Sequence, residues 1–240
     1  MVVDASQYVG ALQRLHAQTP FALARALTWT AKDAQAAGTN EMRSVFDRPT
    51  AYTLRSLFVT PATKSSRVAV VGLKNRQLSK APRTPTDVLG QQFVGGGRMV
   101  KRLEQMFAKA GLISSGEFLA PGAGAKIDAY GNLSRGLIAQ IAAQLKLFTD
   151  SYQWSSKSKR SVMAAKKAGQ MFWSRGGHLK RGVWMRDGRS AVKPILMVVS
   201  SPQYRPLLDL HAITTKVVAD RFPQHWRNSF ASALSSGGRA

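Results

Sequence analysis

The stretch HLKRGVWMRDGRSAVKPILMVVSS, residues 178–201, decides the fold class because it predicts a β-hairpin. Two runs rich in valine, isoleucine and aromatic residues flank an Asp187–Gly188 pair, the type of dipeptide that favours a two-residue type I′ turn or a close variant. The run QMFWSR, residues 170–175, predicts a third strand before it. The hairpin is also rich in lysine and arginine, so we expect it to project as a basic arm.

Helical periodicity marks the N-terminal part of the chain. It predicts a short helix over Ser6–Gln18, and then a second helix that begins with Thr19 as N-cap and Pro20 in the first turn. The second helix should continue to about Phe46. Asp47, Arg48 and Pro49 predict its end.

The middle of the chain alternates between the two element types. Thr50 predicts the start of a short helix that runs towards Pro61. Two stretches rich in β-branched residues follow, LFVTPATK at 57–64 and RVAVVGLK at 67–74, and the second predicts a strand from Arg67 to Leu73. A basic helix should run from Met99 to Ala110 and end at Gly111, where a left-handed residue belongs. The run EFLAPG, residues 117–122, predicts a brief edge strand, and a very apolar helix should begin at residues 133–134.

A long helix is expected over Leu207 to Leu234, bent or interrupted at Pro223. Its apolar residues recur at helical spacing and predict one buried stripe: Leu207, Leu210, Ile213, Val217, Val218, Phe222, Trp226, Phe230 and Leu234. The order of elements as a whole predicts an α+β fold, in which an antiparallel sheet is packed by several helices, with long N-terminal and C-terminal helices and a basic β-hairpin arm.

The length of 240 residues suits one structural domain. We expect it to have four parts: a helical part over 1–56, a mixed part with loops over 57–155, the basic hairpin region over 156–200 and the C-terminal helix over 203–236. No apolar run is long enough for a membrane span, and the first residues lack the basic start of a signal peptide. These features predict a soluble, unexported protein.

The charge is strongly positive, with 35 lysines and arginines against 12 acidic residues and a formal net charge of +23. Such an excess predicts a polyanionic partner or an acidic protein surface. The excess is concentrated in the middle of the chain. The candidate contacts to DNA or to a protein partner are Arg98, Lys101, Arg102, Lys157, Lys159, Arg160, Lys180, Arg181, Arg186 and Arg189.

Enzymatic motifs are weak in this sequence. The three glycines at 95–97 precede a helix but lack the spacing of a P-loop or of a dinucleotide fingerprint, so we interpret them as a joint between two helices. The absence of cysteine excludes thiolate catalysis and cysteine-ligated zinc. The four histidines are scattered without a metal-binding spacing. We therefore predict no catalytic residue, no metal and no cofactor.

Single polar residues have plainer interpretations than catalysis. Ser134 is at the start of a predicted helix and is expected to cap it. Glu104 lies between lysines on a predicted helix and is expected to be a solvated charge. A hydrolase would need Ser134 or His178 to be essential.

The aromatic residues of the hairpin region have two interpretations. Phe172, Trp173 and Trp184 lie among basic residues, a combination that single-strand binders use for stacking. Alternating strands also bury one face, and aromatic residues often fill it. We favour packing in the core for these rings.

A set of motifs spread along the chain carries a resemblance to a known family. They are MRSVFDRPTAYTLRSLFVTPA at 42–62, VVGLK at 70–74, FVGGGRMVKRLE at 93–104, FLAPG at 118–122, DAYGNLSRGLIAQI at 128–141 and KPILMVVSSPQYRPLLDLHAITTKVVADRF at 193–222. From about Thr19 to Leu234 the chain resembles structural proteins of tailed phages and prophages. It is more distantly similar to the lambda-type minor tail protein Z family of tail-completion proteins.

The resemblance implies a virion protein of the neck or tail, made in the host cytoplasm and assembled as a homo-oligomeric ring. The implied partners are portal, adaptor or tail proteins of the same phage and genomic DNA in the channel, without a membrane. On this view the segment from Gly95 to Arg98 belongs to a loop that contacts a neighbouring subunit. The alternative from the residues themselves is a nucleic-acid-binding protein without sequence specificity that acts alone.

Overall fold

The structure is a computed structural model that describes residues 6–76, 83–147, 169–187, 191–201 and 203–237. The chain divides into two compact units. Unit 1 comprises residues 1–95 and 205–240, and unit 2 comprises residues 96–204. The two units subdivide the chain for which the sequence predicts one structural domain. Long terminal helices in unit 1 and antiparallel sheets in both units confirm the α+β fold class.

Helix α1 of unit 1 runs without interruption from Ser6 to Val45. The prediction of two helices separated at Thr19 and Pro20 is therefore wrong. Pro20 lies inside the helix, and the Thr19 hydroxyl donates to the carbonyl oxygen of Leu15, one turn earlier, at 2.8 Å. Proline lacks a backbone donor, but a long helix tolerates one missing bond when packing holds its remaining turns. The predicted end is confirmed, and Arg48 adopts φ +47° just beyond it.

Helix α6 runs from Leu210 to Gly237 and packs along α1. The carboxylate of Asp209 accepts from the amide of Ala212, which explains why the helix begins at Leu210 rather than at the predicted Leu207. The helix continues through Pro223. The predicted stripe is partly wrong, since Leu207, Val218 and Leu234 are exposed. The side of α6 that packs on α1 is therefore narrower than the apolar stripe of the sequence.

Small side chains on α1 let other elements approach it closely. Ala22, Ala26 and Ala34 are fully buried. Gly38 is also closely approached, because an added Cβ would lie 2.9 Å from Leu57 Cδ1 and 3.2 Å from Leu210 Cδ1, so the ends of both leucine side chains would have to shift. A glycine in the middle of a helix lowers its intrinsic stability. In α1 this glycine lies where a strand and α6 both contact the helix.

The other described elements of unit 1 are a second helix, a two-stranded ribbon and a third helix. Helix α2 is only Ala51–Leu54, with Thr50 as the confirmed N-cap. The chain then forms strand β1, Leu57–Thr60, within the β-branched stretch 57–64, so the prediction that the helix runs on towards Pro61 is wrong. Strand β1 pairs antiparallel with β2, Val70–Leu73. Helix α3, Pro85–Val94, begins with a capping box between Thr84 and Asp87.

Unit 2 is built around a four-stranded antiparallel sheet in the order β4-β7-β6-β5. Its strands are β4 at Glu117–Pro121, β5 at Met171–Ser174, β6 at Gly182–Asp187 and β7 at Ala191–Ser200. The three predicted strands of the hairpin region and the predicted edge strand are therefore confirmed. Two further short strands, β3 at Gly96–Gly97 and β8 at Gln203–Tyr204, pair with each other.

The predicted hairpin, β6 and β7, is the centre of this sheet, and the expectation that it projects as an arm is wrong for most of its length. Val183, Ile195 and Leu196 are buried. The reason is that the basic residues occupy the outer side and the ends of the strands, so they do not prevent burial of the apolar side. The pairing of Asp187 with Ala191 leaves three residues between them, one more than the predicted loop, and the turn itself lies outside the described residues.

Of the helices in the described part of unit 2, α4 and α5 cover the apolar side of the sheet. Helix α4, Arg102–Lys109, begins later than predicted but ends as predicted, with Gly111 at φ +67° and the amide of Leu112 bonded to the carbonyl of Phe107. Helix α5, Arg135–Gln144, is capped by Ser134. Their buried side chains join those of the sheet in one core: Phe107, Ile113, Leu119, Ile141, Ala142, Leu147, Met171, Val183, Ile195 and Leu196.

Candidate nucleic-acid or partner interface

The predicted basic contacts fall into three groups in the structure. Lys157, Lys159, Arg160 and Arg189 lie outside the described residues. Arg98 and Arg181 are held by acidic residues inside unit 2. The other four, Lys101, Arg102, Lys180 and Arg186, are exposed. The structure thus separates predicted contacts that build the fold from those that face solvent.

Arg98 forms an ion pair with Glu104, whose side chain is almost completely buried. The same carboxylate also accepts the amide of Lys101 at 2.6 Å and that of Leu119 at 3.0 Å. The Arg98 guanidinium lies over the ring of Phe118, with its Cζ atom 4.7 Å from the ring centroid. The expectation that Glu104 is a solvated charge is therefore wrong. This pair joins the chain before α4 to strand β4.

The glycines before Arg98 have structural roles. Gly95 follows α3 as its C-cap with φ +78°, and Gly96 adopts φ +103° at the start of β3. The interpretation as a simple joint between two helices is wrong, because Gly96 and Gly97 pair with Tyr204 and Gln203. The two ends of unit 2 are thereby held side by side.

Arg181 and Glu117 form a second ion pair. The guanidinium donates to both carboxylate oxygens, at 2.5 and 3.1 Å, and to the carbonyl of Leu112. These bonds from Arg181, together with the amide of Ser114, lower the pKa of Glu117 below its ordinary value. The pair connects the edge strand β4 to the start of β6.

The aromatic residues of the hairpin region divide between two sides of the sheet. Trp173 packs in the core, 5.5 Å from the ring centroid of Phe107, as favoured. Phe172 and Trp184 alternate with core residues and pair with each other across strands, so they lie on the opposite side. For these two rings the favoured packing in the core is therefore wrong. The guanidinium of Arg186 lies over the Phe172 ring at 5.3 Å, and the Trp184 indole donates to the carbonyl of Lys180. We call Phe172, Lys180, Trp184 and Arg186 the outer face.

Every acidic residue in the described part of unit 2 has an internal partner. Glu104 and Glu117 bind arginines, Asp187 binds Lys193, and Asp128 accepts the amides of Tyr130 and Asn132. Several exposed cations lie around them without an acidic residue in an ion pair: Arg102, Lys109, Lys126, Arg135, Arg175, Lys180 and Arg186. The outside of this part of unit 2 is therefore positive.

The histidines and Ser134, the weaker candidates for metal binding or catalysis, do not form a common site in the described part of the chain. In the described ranges no three histidine or acidic side chains come together as a metal site. The Ser134 hydroxyl accepts the amide of Leu137, as expected of a helix cap. His178 is exposed. Among the described helices, none combines the length and apolar character needed to cross a membrane.

Sequence reasoning missed the two buried or half-buried glutamates. Glu104 stands at the third position of α4, where a glutamate often accepts the amide of the residue before the helix. That spacing was a usable signal for Glu104. For Glu117 no local pattern exists, because its partner Arg181 is 64 residues away.

Comparisons with protein-family models, curated proteins and solved structures found no match to this chain.

Proposed function

We propose that this chain is a non-enzymatic structural protein of a tailed bacteriophage virion. It serves as a tail-completion or neck component and assembles as a homo-oligomeric ring around the DNA channel at the head-to-tail junction. The resemblance of its motifs to tailed-phage structural proteins is one support. The distribution of charge on unit 2 is the physical support.

The observation that carries the proposal is that the described acids of unit 2 are engaged internally while exposed cations surround them. A protein with this surface attracts acidic proteins and DNA over distances of about 10 Å at moderate ionic strength. A ring between a DNA-filled head and a tail meets both kinds of partner. It also needs no reactive group of its own.

The motif that opens unit 2 supports an architectural role. In FVGGGRMVKRLE the glycines build β3, and Arg98 and Glu104 form the buried pair. A motif devoted to internal bonds is typical of a scaffold. Lys101 and Arg102 of the same motif remain at the surface, where a neighbouring subunit or portal, adaptor and tail proteins could bind them.

The experiment replaces exposed cations of the outer face. A variant with Lys180→Gln and Arg186→Gln keeps both structural arginines, Arg98 and Arg181. The variant is produced in place of the native protein in the phage that encodes it. It should reduce the yield of complete particles, because the neighbouring virion proteins bind the outer face through acidic side chains. Particles that assemble normally but lose DNA would assign the outer face to the channel. Normal particles with normal DNA retention would contradict both roles. Lys109→Gln with Arg135→Gln removes the same charge elsewhere and is the matched control.

A nucleic-acid-binding protein that acts alone is the second candidate. The observation that favours it is the position of Arg186 beside Phe172 and Trp184 on one side of the sheet. Such a surface combines phosphate neutralisation with aromatic contact. A monomer that binds single-stranded oligonucleotides of different sequence equally, and loses binding in the Lys180→Gln and Arg186→Gln variant, would support this candidate.

A further inference from the structure

A groove in unit 1 combines exposed aromatic rings with positive charge. It has a volume of about 400 Å³ and lies between α1 and residues 62–64. Phe21 and Trp29 line it and remain 40% and 45% exposed, which is unusual for large rings. Arg25, Lys32 and Lys64 are the cations of its lining.

The polar groups of the groove floor are already satisfied. The Thr28 hydroxyl donates to the carbonyl of Ala24 at 2.7 Å and accepts the amide of Ala62 at 3.1 Å. This second bond holds residues 62–64 beside α1, so the groove is part of the folded unit. What remains for an occupant is apolar surface bordered by charge.

Within the described ranges, no acidic side chain offsets the positive charge of the groove lining. The guanidinium of Arg25 donates to the neutral hydroxyl of Ser232 at 3.0 Å. The ammonium groups lie over the aromatic rings, with Lys32 Nζ 4.3 Å from the Trp29 ring and Lys64 Nζ 5.4 Å from the Phe21 ring. An occupant that complements this arrangement carries apolar side chains flanked by carboxylates.

We propose that this groove, formed by Phe21, Arg25, Trp29, Lys32, Ala62 and Lys64, binds an acidic protein segment that contains apolar side chains. The apolar side chains enter between the two rings, and the flanking carboxylates pair with the lysines and with Arg25. This inference goes beyond the proposed function and does not depend on it.

The positions of the lysines favour a protein segment over nucleic acid. A nucleobase binds an aromatic residue by stacking on the ring face. Here an ammonium group occupies one face of each ring. Carboxylates pair with those ammonium groups at the border of the groove and leave the rings in contact with apolar side chains.

Fluorescence anisotropy with three labelled probes tests the proposal on the full chain. The first is a nine-residue peptide with a central Leu-Phe pair between glutamates and aspartates. The second has serines in place of that pair, and the third is a single-stranded oligothymidine. We expect the first peptide to bind at least tenfold more tightly than the other two.

Two variants test whether binding occurs in the groove. Lys32→Gln with Lys64→Gln, and separately Trp29→Thr, should each weaken binding of the first peptide at least tenfold. Lys109→Gln with Arg135→Gln removes equal charge from unit 2 and should change binding less than twofold. Circular dichroism verifies that each variant is folded.

Three outcomes overturn the proposal. Failure of the first peptide to bind would exclude an acidic, apolar segment. Equal loss of binding in the groove and control variants would show attraction to overall charge without a site. Tighter binding of the oligothymidine, lost in the groove variants, would identify the groove as a nucleic-acid site.

Discussion

The carboxylate of Glu104 pairs with the guanidinium of Arg98 inside unit 2 and accepts the amide of Leu119 through the same oxygen. One side chain thus holds three segments together: the residues that follow β3, the first turn of α4 and strand β4. Because only 1% of Glu104 is exposed, solvent cannot replace these bonds if the carboxylate is removed.

Glu104→Gln should therefore lower the free energy of unfolding by about 3 kcal/mol, since it leaves the Arg98 charge buried without its partner. Urea unfolding measures the change. Glu41→Gln, at an exposed glutamate of α1, is the control and should stay within about 0.5 kcal/mol of the native protein. A loss below about 1 kcal/mol for Glu104→Gln would contradict a structural role of the pair.

The Glu117–Arg181 ion pair should make the stability of the protein depend on pH. Hydrogen bonds from Arg181 and Ser114 depress the pKa of Glu117 below its ordinary value of 4.5. A carboxylate whose pKa is depressed in the folded state stabilises the protein when the pH is above the ordinary pKa of that group. This stabilisation is lost as the pH falls through the folded-state pKa. Glu117→Gln should therefore unfold at a lower temperature than the native protein at neutral pH, and the difference should shrink in acid. Scanning calorimetry of both proteins measures it, and a difference that stays constant or grows in acid would refute the assignment.

At position 182 the sheet leaves no space for a side chain. Gly182 adopts φ +154° in β6, and an added Cβ would lie 2.1 Å from the carbonyl oxygen of Leu196 on β7. Gly182→Ala should strongly reduce the yield of folded protein, because the two central strands would have to separate. Gly136→Ala is the matched control, since this position in α5 has no atom within 4 Å of an added Cβ. The control should be neutral or stabilising by up to about 1 kcal/mol. Equal yields of folded protein for the two variants would contradict the close approach of β6 and β7 at Gly182.

Trp226 tests the packing of α6. Its ring is half-buried and stacks on Phe230, with centroids 5.2 Å apart. Trp226→Ala should cost on the order of 2 kcal/mol, less than the 3 to 5 kcal/mol typical of a fully buried aromatic ring. Leu234→Ala, on the exposed side, should cost roughly 0.5 kcal/mol or less. Thermal unfolding compares them, and an effect near zero for Trp226 would mean that this end of α6 does not pack as described.

Local patterns predicted much of the fold. The β6–β7 hairpin, the caps at Thr50 and Ser134 and the left-handed Gly111 all depend on neighbouring residues, so their signals are present in short stretches of sequence. The continuous helix α1 was not predicted, because packing against α6 overrides the local signal of Thr19 and Pro20. The position of the hairpin in the sheet depends on β4, which precedes it by about sixty residues.

The candidate site was harder to predict than the fold. Charge alone identified Arg98, Lys180, Arg181 and Arg186 as equivalent contacts. The structure separates them because an ion pair depends on distant residues: Glu117 and Arg181 meet only after β4 and β6 have joined the same sheet. The groove of unit 1 had no sequence signal for the same reason, since residues 62–64 reach α1 through the tertiary bond to Thr28.

The proposed assembly of this protein with itself as a ring is tested most directly by the mass of the purified protein in solution. Mass photometry or native mass spectrometry should show one dominant species at a whole-number multiple of the 26.1 kDa chain, and negative-stain images of that species should show closed rings. A single species at 26.1 kDa at micromolar concentration, in a preparation that binds DNA, would contradict the ring and favour a nucleic-acid-binding protein that acts alone.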